Sequence, residues 1–237
     1  MVWAGWTRKN RGVQSAPPYH VVQFEESKMN EESYYKFFKR MEVALDPELE
    51  EHLVKTEWGT MIQHPLVHGF LSLPGLANEQ LIYKQKALAK AKAESDWGSY
   101  IFLHERPYRV QAFLDVEDEL DDDEYWQLLL DVWTDTEEPR THIRVWYRLW
   151  KSARPKPDGF IKLPNEDDTL TVYRGGHGPD LESEGLSWTL SRKVAEKFAG
   201  RWGNDGRVIK LTVPREYVLG YTDQRGEQEV IHAMLWW

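Results

Sequence analysis

The stretch "RPKPDG" at 154–159 divides this chain more sharply than any other feature. Two prolines and a glycine so close together stop a helix, break a sheet ladder and mark a connection. Before it, apolar residues recur at helical spacing; after it, they fall in short β-branched and aromatic runs. That change of period predicts an α+β fold, with a mainly helical N-terminal half followed by a sheet-rich half. We read 1–20, polar with Pro17 and Pro18, as a flexible arm, 21–155 as a helical region, and 156–237 as a second, smaller domain.

The helical region, expected to be mostly helix from about 28 to 150, carries three strong segments. "ANEQLIYKQKALAKAKAESDW" (77–97) is rich in helix formers, with Asn78 as a candidate cap. "DDDEYWQLLLDVWTD" (121–135) opens with acids suited to a helix N-terminus and repeats Trp126, Leu129, Leu130 and Trp133 on one face. "PRTHIRVWYRLWKSA" (139–153) has Pro139 in its first turn, Ile143, Trp146, Tyr147 and Trp150 on one face, and a basic face of Arg140, Arg144, Arg148 and Lys151 beside it. That basic face has two readings: a contact for RNA, DNA or an acidic protein, or local pairing with the acidic run 116–124.

Beyond residue 160 the short runs "TLTVYRG", "EGLSWTL", "RVIKLTV", "EYVLGYT" and "EQEVIHAMLW" predict strands. One helix lies among them, "SRKVAEKFAG", capped by Ser191, with Val194, Ala195, Phe198 and Ala199 buried and Gly200 at its end. The composition, 41% hydrophobic and 29% charged, excludes a disordered chain. A net charge of −9 gives no general affinity for nucleic acid. The absence of cysteine fits a reducing compartment. The opening "MVWAGWTRKNRG" lacks the apolar stretch of a signal peptide, and no run approaches the roughly 18 apolar residues of a membrane span. We therefore expect a soluble cytoplasmic protein with no membrane partner. His64, His68 and His104 show no metal-ligand spacing, so no metal is expected.

Three places carry chemistry. Arg174 ends a strand run and precedes Gly175 and Gly176. Its forked guanidinium matches two phosphate oxygens, and glycines admit a ligand close to the backbone; alone, it reads better as an exposed arginine before a glycine turn. Ser187 and Thr189, two apart on a strand, share a face, with Trp188 on the other. Glu227 and Glu229 share a face if the segment is extended, a costly pairing unless a cation or a substrate hydroxyl separates them.

Taken in this order, "VYRG", "GLSWTLSRKVAEKFA" and "GEQEVI" resemble the three motifs of the R-S-E class of ADP-ribosyltransferases. That class includes the cholera-type and clostridial binary toxins, and the phrasing here looks most like its phage and prophage-encoded members. The resemblance covers about residues 125–231 and is strongest from 170. One departure stands out: the class has Ser-Thr-Ser where this chain has Ser187-Trp188-Thr189.

The resemblance implies a two-sheet ADP-ribosyltransferase-like catalytic core with NAD, as substrate, in the cleft between the sheets. It implies that Arg174 grips the pyrophosphate while Gly175 and Gly176 make room. Ser187 fixes Glu229 or binds the nicotinamide-side ribose. Glu229 binds the ribose 2′-hydroxyl and stabilises an oxocarbenium-like transition state. Glu227 orients or deprotonates the acceptor. Tyr173, Trp188, Thr189 and Phe198 line the nicotinamide pocket, although Phe198 reads better as core. The implied activity is mono-ADP-ribosyl transfer to a macromolecule. Glutamate at 227 goes with arginine acceptors in the family, so protein arginine is the first expectation. A nucleic-acid base is the alternative, and an NAD glycohydrolase or a noncatalytic binding module are the further ones. A phage, prophage or toxin–antitoxin toxin is implied, with an antitoxin or inhibitor protein as partner. The helical region would cover the cleft or select the target.

Overall fold

The computed structural model describes residues 43–136, 142–178, 181, 185–201 and 203–233. The arm expected at 1–20, Pro139 and Arg140 of the basic face lie outside them. The fold is α+β, with seven α-helices and two antiparallel sheets among the described residues.

The N-terminal half departs from the expected run of helices. After a one-turn helix α1 (Pro47–Glu50), capped by Asp46, come β1 (Leu53–Thr56), β2 (Gly59–His64) and β3 (Val67–Phe70), a three-stranded meander. These strands are four to six residues long, too short for periodicity to reveal against the helices that follow. They pack on α2 (Pro74–Ala93) through Leu49, Ile62, Leu66, Val67, Ala77 and Leu81. Helix α2 starts at Pro74, not at Asn78. The Asn78 side chain instead accepts the Asp46 N–H at 2.8 Å and donates to the Ala44 carbonyl at 2.9 Å, tying the entering chain to the helix.

Helices α3 (Trp97–Leu103), α4 (Arg109–Val116), α5 (Asp122–Asp135) and α6 (Ile143–Trp150) follow. The acids that open α5 form a reciprocal cap between Asp121 and Glu124. The apolar faces of α5 and α6 meet in an aromatic cluster: Trp133 packs edge-on against Trp146 at 5.0 Å and Trp150 at 5.8 Å. The basic face of α6 is partly spent locally. Arg148 makes a bidentate pair with Glu117, 2.9 and 2.7 Å, and, beyond the helix, Arg154 reaches Asp122 at 3.4 Å. Both carboxylates belong to the acidic run.

The segment 154–159 is docked onto the helices. The Trp126 indole N–H donates to the Pro155 carbonyl at 2.8 Å, and Lys156 lies over the Trp126 ring at 4.2 Å. Strands β4 (Thr169–Gly176), β5 (Ser187–Thr189), β6 (Arg207–Pro214), β7 (Val218–Thr222) and β8 (Glu229–His232) follow, with α7 (Arg192–Gly200) between β5 and β6. Ser191 caps α7 as expected, but Gly200 is its last residue and Arg201 the C-cap.

These strands form one sheet, in the order β6-β4-β5-β8-β7, where two sheets were expected. A single pair, Tyr173↔Thr189, joins the β6-β4 ribbon to the β5-β8-β7 group. Beyond that pair the two groups part, and the second sheet among the described residues is the N-terminal meander. One sheet face packs Leu170, Val172, Trp188, Val213 and Val230 together. The other contributes Leu186, Leu219 and Ile231 to the same core as Trp126, Trp133, Trp146 and Trp150. The two halves of the chain thus share a core across the proline-rich junction.

Candidate active site

Where β4 and β5 part, the structure has a cavity of about 720 Å³. All nine residues singled out in the sequence border it: Tyr173, Arg174 and Gly175 from β4; Ser187, Trp188 and Thr189 from β5; Phe198 from α7; and Glu227 and Glu229 from the segment entering β8. Four arginines and three carboxylates line it, an excess of one positive charge in a chain of net charge −9, with Arg106 paired to Asp135 and Arg225 to both glutamates. That balance suits an anionic ligand.

Glu229 is its most constrained group. The residue is 4% exposed, and three side chains satisfy its carboxylate. Ser187 Oγ donates to Oε1; Trp133 Nε1 donates to the same oxygen at 3.1 Å; Arg225 Nη2 approaches Oε2 at 3.3 Å. Burial pushes the carboxyl above its usual range, as does the nearby Glu227 charge, while Ser187, Arg225 and Trp133 oppose the rise. A desolvated carboxylate held by three donors is pre-oriented for charge that develops beside it.

Glu227 and Glu229 are not paired by strand alternation. Gln228 between them has φ 47°, in the left-handed region, and β8 begins only at Glu229. The loop is fixed by bonds at Gln228: its N–H donates to the side-chain Asp223 Oδ1 at 2.9 Å, and Leu190 N–H donates to the Gln228 carbonyl at 3.0 Å. Arg225 Nη2 bridges the glutamates, 3.0 Å from Glu227 Oε2. This is the cation that such a pair requires, two residues upstream of Glu227 in a stretch that reads only as a turn.

Thr189 has a different task from Ser187. It is buried, its hydroxyl donates to the Glu227 carbonyl, and it accepts the Ser191 N–H at 3.0 Å. It clamps the glutamate loop to the start of α7. Trp188 is 3% exposed and belongs to the core on the opposite sheet face, so its indole is mainly packing. The Arg174 guanidinium lies beside that ring, 5.8 Å from its centroid, and donates to the Gly185 carbonyl at 3.4 Å.

Gly175 corrects an expectation. A Cβ there would lie 1.8 Å from the Ala195 carbonyl oxygen and 2.7 Å from Ala199 N, so the missing side chain admits helix α7, not a ligand. In turn α7 presents Val194 and Phe198 to the cavity and buries only Ala195 and Ala199. Phe198 is partly buried, with Arg201 over its ring at 4.3 Å, and it lines the cavity where core was the better sequence reading.

The sequence reading missed Trp133 and Arg225 as site residues. Trp133 reads as one of several apolar positions on α5; no local signal separates its N–H from those of the other tryptophans. No known family model, curated protein or solved structure matches the chain.

Proposed function

We propose that this protein is an NAD-dependent mono-ADP-ribosyltransferase. The observation that carries the reading is the buried Glu229, held by Ser187 and Trp133 with Glu227 alongside, in a cavity that Arg174 also borders. Ser187 and Trp133 occupy Oε1, which leaves Oε2 for a ribose hydroxyl once Arg225 shares or yields it. The carboxylate then stabilises positive charge on the ribose as nicotinamide departs. The pyrophosphate takes Arg174 and the other cavity arginines as partners. Glu227 accepts a proton from the incoming nucleophile. A protein arginine is the first acceptor on this reading, and a cytoplasmic toxin its setting, with an antitoxin as partner.

The test is nicotinamide release and label transfer from NAD in cell lysate. Glu229→Gln should lower both by about 10²-fold or more, as for removal of a transition-state electrostatic contact. Undiminished turnover in a folded Glu229→Gln protein refutes the site. Glu227→Gln should keep nicotinamide release and lose transfer. Label destroyed by nuclease rather than protease would move the acceptor to nucleic acid.

A further inference from the structure

Arg225 carries the chemical group that the proposed reaction uses as acceptor, and it already sits against both glutamates. Its Nη2 is 3.0 Å from Glu227 Oε2 and 3.3 Å from Glu229 Oε2. Its Nη1 donates to the Thr134 carbonyl at 3.0 Å, which fixes the plane of the guanidinium. The loop that bears it is held by Asp223. Gly226 N–H donates to the Asp223 carbonyl at 2.9 Å, and Gln228 N–H to Asp223 Oδ1 at 2.9 Å. The side chain is 44% exposed and borders the cavity, so a bound ligand can reach it.

We infer that Arg225 is an intramolecular ADP-ribose acceptor, placed by Glu227 and Glu229 in the position an external arginine would otherwise take. The inference rests on the NAD-transfer reading. A ribose whose 2″-hydroxyl meets Glu229 Oε2 brings C1″, one carbon away, next to Nη2. The C1″–nicotinamide bond breaks and its electron pair stays on the departing ring nitrogen. The Nη2 lone pair forms the new C1″–N bond, and the displaced Nη2 proton passes to Glu227 and on to water. NAD supplies the only co-reactant. Holding nucleophile and electrophile in one cavity makes the step unimolecular.

The experiment incubates the purified full chain with NAD, assays nicotinamide, and maps ADP-ribose by tandem mass spectrometry with side-chain-preserving fragmentation. The expected result is ADP-ribose on Arg225, at a rate constant unchanged by dilution of the protein, and none in Glu229→Gln. Wild type is also mixed with an excess of tagged Glu229→Gln; the tagged chain should stay unlabelled at Arg225. Nicotinamide release with no label at Arg225 overturns the inference and leaves the NAD-cleaving site standing, with Arg225 only an electrostatic brace. Label on the tagged chain's Arg225 overturns the intramolecular step. No nicotinamide release in the presence of lysate acceptors overturns the underlying reading itself.

Discussion

His232 offers a measurable consequence of how the site strand is buried. It lies on β8, three residues after Glu229, is 1% exposed, and packs its ring 5.2 Å from that of Trp188. Burial, and then the charge of Arg174, push its pKa from 6.5 down to about 4. Above pH 6.5 the ring is neutral in both the folded and the unfolded chain, and the stability it allows is fully present. Between pH 6.5 and 4 the unfolded chain binds a proton that the folded chain refuses, so stability falls as pH falls. At about 1.4 kcal/mol per pH unit the loss across that window is about 3 kcal/mol, and it levels off below the folded pKa. The assay is urea unfolding at a series of pH values for wild type and His232→Asn. His64 and His104, which burial also holds low, contribute equally to both proteins and cancel in the difference. The wild-type advantage should shrink by about 3 kcal/mol from pH 7 to pH 4. A difference that stays flat refutes the reasoning. Should His232→Asn not fold, NMR titration of the wild-type ring serves instead: it should stay neutral until about pH 4. Arg174→Gln should move that titration upward.

Trp133→Phe keeps an aromatic side chain and removes the N–H that Glu229 accepts. Because that bond helps to hold the carboxyl down, the acidic limb of the NAD-cleavage profile should move to higher pH, with a loss of about 1.5–3 kcal/mol in transition-state stabilisation; an unmoved limb would make Trp133 mere packing. Glu227→Gln removes a charge that raises Glu229, so the same limb should move to lower pH, and a shift the other way would contradict the electrostatics. Gly175→Ala forces a methyl into the Ala195 carbonyl and should destabilise the fold by about 1–3 kcal/mol in urea; a wild-type midpoint would mean that α7 is free to shift. Arg148→Ala should cost about 1 kcal/mol or less, since its pair with Glu117 is on the surface; a larger loss would make that pair structural.

Much of the site half was legible because its signals are local. Strands β4 to β8 and helix α7 stand close to the runs that alternate or repeat in the sequence, and Ser191 caps α7 where its position before the apolar stripe indicates. The β1–β3 meander was not legible, since its short runs are bounded by ordinary turns such as 57–58 and 65–66. Nor was the glycine at 175: a glycine after a strand-end arginine can serve a ligand or a helix, and only the position of Ala195 decides which.

By itself, the sequence determined the α+β class, the order of helical and sheet-rich halves, and the residue types that meet at the cavity. These depend on period, capping and side-chain chemistry, which act over a few residues. The tertiary structure alone decided that the β4–β5 contact is a single pair, so that the sheet opens there. It alone decided that a tryptophan 96 positions before Glu229 donates to its carboxylate. It also turned Gln228 left-handed, so that Arg225, and not strand alternation, holds the two glutamates together. Those outcomes depend on which surfaces exclude water against each other. That choice is made by packing over the whole chain, because a buried carboxylate keeps its charge only where distant donors converge on it.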